Sequence, residues 1–301
     1  TREMIVLDNY LEIHMNYETF TEKPPLFFWL QAASMRLLGV GDYAARFPNA
    51  LAGVIILPLL YNFGKKLRDR QFGYLWALAY FGSILPHLYF KSGIIDPIFN
   101  VFIFLGLYFL ILHVWKFNYG RYYSSDRQKI YRFLILAGVF TGLATLTKGP
   151  VAYLITVLTL GVYWASVRFK WYISVVNFLI YSLVTFAVVA FWGMINYMAN
   201  GPEFLIAFTI RQWELLTTPD AGHGGFLGYH FVVLLLGCFP ASIFALQTLF
   251  THDRRSTKRQ MDFTWWMKAL FWVVLILFSI VSTKIVHYSS LAYYPLTYLA
   301  A

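Results

Sequence analysis

An all-α, polytopic integral membrane protein is what this sequence predicts, and three observations predict it. Apolar residues make up 59% of its 301 residues and charged residues only 13%, against roughly 45–50% and 25% in a soluble domain. Several stretches approach the ~20 apolar residues needed to cross a bilayer as a helix. Those stretches are rich in Leu, Ile, Val and Phe without period-two alternation. In lipid the backbone must pair its own N–H and C=O groups, so such runs read as helices and not as barrel strands. The same composition excludes a disordered chain, a water-soluble core and a disulfide scaffold. The single cysteine, Cys238, sits inside an apolar run, with no partner for an intrachain bridge or a thiolate cluster.

About nine spans follow from the run lengths: 43–63, 73–90, 94–115, 133–147, 151–167, 173–198, 229–250, 269–282 and an incomplete one over 288–301. Pro58 and Pro86 fall inside spans and predict kinks. Gly138 and Gly142 form a GxxxG pair that predicts close helix packing. Residues 1–42 read as an extracytoplasmic loop with interfacial helices. Residues 43–301 read as the transmembrane domain, including a second long polar loop over 199–228. The chain opens on Thr1 and stops at Ala301 within an apolar run, so a piece of a longer protein is expected.

Lys and Arg fix the orientation, because short cytoplasmic loops retain them. They cluster in alternate loops: Lys65, Lys66, Arg68 and Arg70; Lys116, Arg121, Arg127, Lys129 and Arg132; Arg168 and Lys170; Arg254, Arg255, Lys258, Arg259 and Lys268. The formal net charge of +10 is thus explained by topology, and no basic face is left for a nucleic acid. No Walker segment, Rossmann fingerprint or HExxH string is present, which removes support for ATP hydrolysis, nicotinamide chemistry and zincin proteolysis. Chemistry is expected on the opposite, extracytoplasmic side, where the two long polar segments lie.

The first of those segments contains YETFTEKPPLFFWLQ, residues 17–31. Glu22 and Lys23 stand directly before two prolines and an aromatic helix start, and proline suits a first helical turn. An anion such as a lipid phosphate is favoured there. The strings EKPPLFFWLQA and GVGDYAARFPNALAG resemble the first extracytoplasmic loop and next helix of the polyprenyl-phosphate-sugar-dependent transferases. That group includes the aminoarabinose transferases that modify lipid A and the protein O-mannosyltransferases, all of the GT-C membrane fold. Arg2, Glu3 and Met4 resemble the family's REM segment. Asp96 lies where a luminal acid follows KSGII, Lys148 with Gly149 and Pro150 resembles the TKG turn, and His223 falls in RQWELLTTPDAGHGGFLGYH. Lys284, Tyr288 and Pro295 resemble a later K, Y, P segment. The family's acidic pair at the end of its first transmembrane helix would precede Thr1, so this stretch by itself is expected to be inactive.

The resemblance implies a hexosyl- or pentosyltransferase that takes a sugar from a polyprenyl phosphate. The acceptor would be a lipid, such as lipid A, or a protein, at the extracytoplasmic face of a bacterial inner membrane among its lipids. Breaking an anomeric bond to phosphate passes through an oxocarbenium-like state while charge grows on the phosphate. Preorganised cations stabilise that charge, and Lys23, Lys148, Arg211 and Lys284 are the candidates for the donor phosphate. Asp96, Glu22, Glu203, Glu214 and Asp220 are the available carboxylates, of which the resemblance favours Asp96 and Glu22 as catalytic. It also implies that Glu22 and His223 share a divalent ion such as zinc; no other cofactor is implied. Plainer readings coexist: Lys148 and Lys284 as snorkelling lysines, Arg211 paired with Glu214, Asp96 as a helix N-cap. A transporter or lipid-linked sugar flippase is the alternative function, although no internal repeat is visible and the unexplained charges lie at outer span ends.

Overall fold

The computed structural model describes residues 1–119, 127–217, 225–251, 256–281 and 283–301. In order, the chain forms α1 (Arg2–Val6), strands β1 (His14–Met15) and β2 (Glu18–Thr19), α2 (Leu26–Leu38), α3 (Asp42–Leu67), α4 (Arg70–Gly82) and α5 (Ile84–Phe90). Next come α6 (Asp96–Tyr119), α7 (Arg127–Lys148), α8 (Val151–Ser166), α9 (Val175–Asn200) and α10 (Glu203–Thr217). The chain closes with α11 (Tyr229–Gly237), α12 (Ala241–Phe250), α13 (Lys258–Ile280), a 3-10 helix at Val286–Ala292, and α14 (Tyr293–Ala300). It is a multi-pass, all-α membrane protein. Among the described residues, five helices are long and apolar enough to cross a bilayer: α3, α6, α7, α9 and α13.

The helices fall into two compact units, the first made of residues 1–48, 98–156 and 169–218. Its centre is the packing of α7 on α9. A Cβ on Gly138 would stand 2.8 Å from Cβ of Val184, and one on Gly142 would stand 2.8 Å from the Thr185 carbonyl. The GxxxG pair therefore receives the α9 backbone. The Tyr181 hydroxyl donates to Thr141 Oγ1 at 3.0 Å and Thr185 Oγ1 donates to the Gly138 carbonyl at 3.3 Å, satisfying polar groups that lipid would leave unpaired. Gly142→Leu should lower unfolding stability in detergent by about 1–3 kcal/mol, since a backbone neighbour cannot yield to the added side chain. An unchanged thermal midpoint would remove the close approach.

On the opposite face of α9, Leu179, Leu183, Phe186 and Met194 stand exposed, as lipid contact requires. The amino-terminal segment docks on the same unit. Asn16 and Tyr17 carry φ of 55° and 64°, the doubly left-handed turn of a tight β-hairpin. The Glu3 carboxylate accepts from both their N–H groups at 3.1 Å. Trp192 Nε1 and Asn196 Nδ2 of α9 both donate to the Leu11 carbonyl at 3.3 Å.

The second unit comprises residues 49–97, 157–168 and 219–301. The α3 helix runs unbroken through Pro58. The stretch 73–90, expected as one kinked span, is instead two helices parted at Ser83. Pro86 offers no N–H to the Gly82 carbonyl, and Ser83 is extended, with φ −79° and ψ 141°. Its hydroxyl donates to the carbonyls of Ala79 at 2.6 Å and Cys238 at 3.2 Å. The stretch 229–250 likewise divides into α11 and α12, with Pro240 at the start of the second. The α3–α4 turn is tight: a Cβ on Gly73 would lie 2.4 Å from the Tyr61 carbonyl, and Asp69 caps α4 by accepting from the Phe72 N–H at 2.8 Å. Tyr163 stacks on Trp266 of α13 with ring centroids 3.7 Å apart, and its hydroxyl donates to the Asp262 carboxylate.

Candidate active site

In the first unit, Pro25 caps α2 and fixes where the chain leaves the hairpin. Glu22 and Lys23 thus stand just ahead of a helix start. In the same unit Leu146, Trp192 and Phe204 form a buried apolar floor, packed by Leu26, Trp29, Leu205 and Phe208. That floor holds α2, α7, α9 and α10 together, and α10 delivers the polar partners. Arg211 donates to Glu22 Oε1 through both Nη2 and Nε, the latter at 3.1 Å, while its Nη1 donates to Glu214 Oε2 at 3.3 Å. The helical pairing of Arg211 with Glu214 is therefore present, together with a partner 189 positions away in sequence.

One residue on, Gln212 Nε2 donates to the Glu22 carbonyl at 3.0 Å. Gln212 Oε1 faces Gly149, whose φ of +101° and lack of a Cβ leave room that a Cβ would fill at 2.6 Å. The glycine of the KGP turn is thus explained by backbone conformation and by close approach. Lys148, the last residue of α7, places its ammonium 5.5 Å from the centroid of the Phe99 ring, a cation–π distance. Lys23 is half-buried at the same segment.

The second unit holds Asp96 and Lys284. Asp96 is 4% exposed and opens α6. The turn before it is held by buried Asn49, which donates to the carbonyls of Ser92 at 2.8 Å and Ile94 at 2.7 Å. His287 Nε2 lies 3.6 Å from Asp96 Oδ2, an ion pair whenever that ring is protonated. Lys284 is buried, and it donates to the carbonyls of Phe278, Ser279 and Val281 at 3.1, 2.6 and 2.6 Å. All three ammonium protons therefore close the last turn of α13, and burial pushes the group below the ordinary lysine pKa. A phosphate reaches this ammonium only by displacing a carbonyl.

His223 and Asp220 lie outside the described residues. Among the described residues, no three His, Cys, Asp or Glu side chains converge on a possible metal position, and Glu22 is engaged by Arg211. No step is assigned to a metal here.

Sequence reasoning missed Asn49, Gln212 and His287. Asn49 left a trace, a lone amide within RFPNALAG at the start of an apolar run. Asn49→Ala leaves two carbonyls unpaired and frees the Asp96 turn. Its expected result is about a 10- to 100-fold fall in turnover, with donor affinity unchanged, read as kcat against KM in the whole protein.

Residues 22–194, more than half of the chain, match the model of the family described as dolichyl-phosphate-mannose-protein mannosyltransferase. The chain belongs to that family. It is 24% identical over 295 residues to an uncharacterized protein of Aquifex aeolicus, covering 97% of this chain and 62% of that protein. It is 22% identical over 306 residues to the undecaprenyl phosphate-alpha-4-amino-4-deoxy-L-arabinose arabinosyl transferase of Wigglesworthia glossinidia brevipalpis, covering 100% of this chain and 52% of that one. The crystal structure of ArnT from Cupriavidus metallidurans bound to undecaprenyl phosphate superposes with a TM-score of 0.83 at 20% identity, over 99% of this chain and 53% of that one. That likeness establishes the polytopic GT-C fold. The chain spans about half the length of the curated relatives it matches.

Proposed function

We propose that the protein carrying this chain is a glycosyltransferase that moves a sugar from a polyprenyl phosphate donor to a lipid or protein acceptor at the extracytoplasmic face of a bacterial inner membrane. The observation that carries this reading is the Glu22–Arg211 pair beside Lys23, at a helix start in the segment that resembles the transferases. The pair fixes a guanidinium on the segment that carries Lys23, and a cation held in place in advance stabilises developing negative charge without reorganising. Lys23, Arg211 and Lys148 take the donor phosphate as its charge grows. Lys284, in the second unit, becomes available to a phosphate only if it leaves its carbonyls. Asp96, with His287 beside it, orients or deprotonates the acceptor; Glu22 holds Arg211 and faces the reacting sugar. The relatives that are undecaprenyl phosphate-alpha-4-amino-4-deoxy-L-arabinose arabinosyl transferases favour an aminopentose on undecaprenyl phosphate as the donor.

The experiment uses the whole protein in liposomes with a panel of polyprenyl-phosphate sugars, following released polyprenyl phosphate and sugar-bearing acceptor by mass spectrometry. Lipid phosphate released only when acceptor is present supports the reading. A donor that crosses the bilayer uncleaved replaces it with the flippase.

A further inference from the structure

Gln212 touches two segments that carry cations, and each contact falls at the residue next to the cation. Its Nε2 donates to the Glu22 carbonyl at 3.0 Å, which belongs to the peptide group joining Glu22 to Lys23. On the other side of Lys23 stands Pro24, and the residue before a proline is confined to extended backbone. The main chain of Lys23 is thus held from both directions. A carbonyl only accepts, so the amide nitrogen of Gln212 faces Glu22 and its oxygen faces the other way.

There Oε1 meets Gly149, where a Cβ would stand 2.6 Å from it. Gly149 has a φ of +101°, which only a glycine adopts readily, and its N–H donates to the Thr145 carbonyl at 2.8 Å. The turn that follows Lys148 is therefore tied to the end of α7 and lies against the glutamine amide. Nε2 and Oε1 belong to one planar amide, whose resonance fixes their separation. The preceding residue, Arg211, holds the Glu22 carboxylate, so α10 grips Glu22 by side chain and main chain together.

We propose that Gln212 is a positioning residue for the donor phosphate: its amide sets the spacing of Lys23 and Lys148 by holding the peptide ahead of the first against the turn behind the second. This rests on the reading above that Lys23, Arg211 and Lys148 take that phosphate. Gln212 acts through those cations and not on the sugar.

The test follows a polyprenyl phosphate bound to the whole protein by phosphorus NMR from about pH 5 to about pH 8, beside donor kinetics. A phosphate monoester loses its second proton at about pH 6, and cations held beside it lower that value. Gln212→Met keeps the bulk and removes the donor, Gln212→Asn keeps the amide on a stem one methylene shorter, and Arg211→Met serves as the reference. The expected result is a bound phosphate that titrates below the free one in wild type and moves back toward it in both Gln212 variants. Their kcat/KM should fall about 10- to 100-fold, with polyprenyl phosphate bound about tenfold more weakly. A merely structural role would lower the thermal midpoint and leave the titration of the bound phosphate where it is in wild type. If Gln212→Met does not fold, Gln212→Asn decides through the same titration. A shift in Arg211→Met with none in the Gln212 variants overturns the positioning role alone. No shift in Arg211→Met either overturns the phosphate assignment beneath it as well.

Discussion

Asp96→Asn should lower the rate of sugar transfer by about 10²–10⁴-fold, the range for removal of a positioned acid–base group. Asparagine keeps the size of the side chain and is as good a helix N-cap as aspartate, so the start of α6 and the stability of the protein should be preserved. What is lost is the charge, and with it the ability to take a proton from an acceptor or to hold His287 at 3.6 Å as an ion pair. Donor binding should persist, because the phosphate is assigned to cations. The check is single-turnover transfer with the whole protein, beside donor affinity measured separately. A variant that keeps more than about a tenth of the wild-type rate would leave Asp96 with the capping role alone.

Arg211→Met carries the second large effect. A preorganised cation facing a developing oxyanion contributes about 10²–10³-fold, and the loss should fall on kcat/KM because donor affinity falls with it. Arg211 also has a structural duty, since it joins α10 to the segment ahead of α2 through Glu22. The two duties separate in a double-mutant cycle. Glu22→Gln and Arg211→Met should couple in unfolding stability by about 0.5–3 kcal/mol. The exchanged pair, Glu22→Arg with Arg211→Glu, should regain part of that stability and none of the turnover. Recovery of turnover in the exchanged protein would make the pair a structural clasp only.

Much of the fold is legible because lipid leaves the backbone so few choices. Among the described residues every expected apolar stretch is built from helices, two of them broken midway, and Gly138 with Gly142 marks the seam where α7 meets α9. Local chemistry within one helix was legible too, as in the pairing of Arg211 with Glu214 three residues on. The breaks were not. Pro58 and Pro86 look alike in sequence, yet α3 passes through the first while the second lies just beyond a break at Ser83. There a serine hydroxyl finds the Cys238 carbonyl, 155 positions away. The partners of the site escaped for the same reason. Hydrophobic periodicity tells which face of a helix is buried, not which distant residue meets it. His287 near Asp96, Asn49 on the Ser92 and Ile94 carbonyls, and Arg211 on Glu22 are contacts of that kind. Lys284 shows the converse: its position at a helix end was visible, whereas its three bonds to backbone carbonyls were not.

Lys23 offers the most direct test of the proposed phosphate grip. The measurement is acceptor-dependent release of polyprenyl phosphate by the whole protein in liposomes, wild type against Lys23→Ala, with membrane insertion and thermal midpoint checked for both. The expected result is a folded variant whose release falls by about 10²-fold or more. A folded Lys23→Ala protein that releases lipid phosphate at the wild-type rate would contradict the placement of the donor phosphate at this helix start.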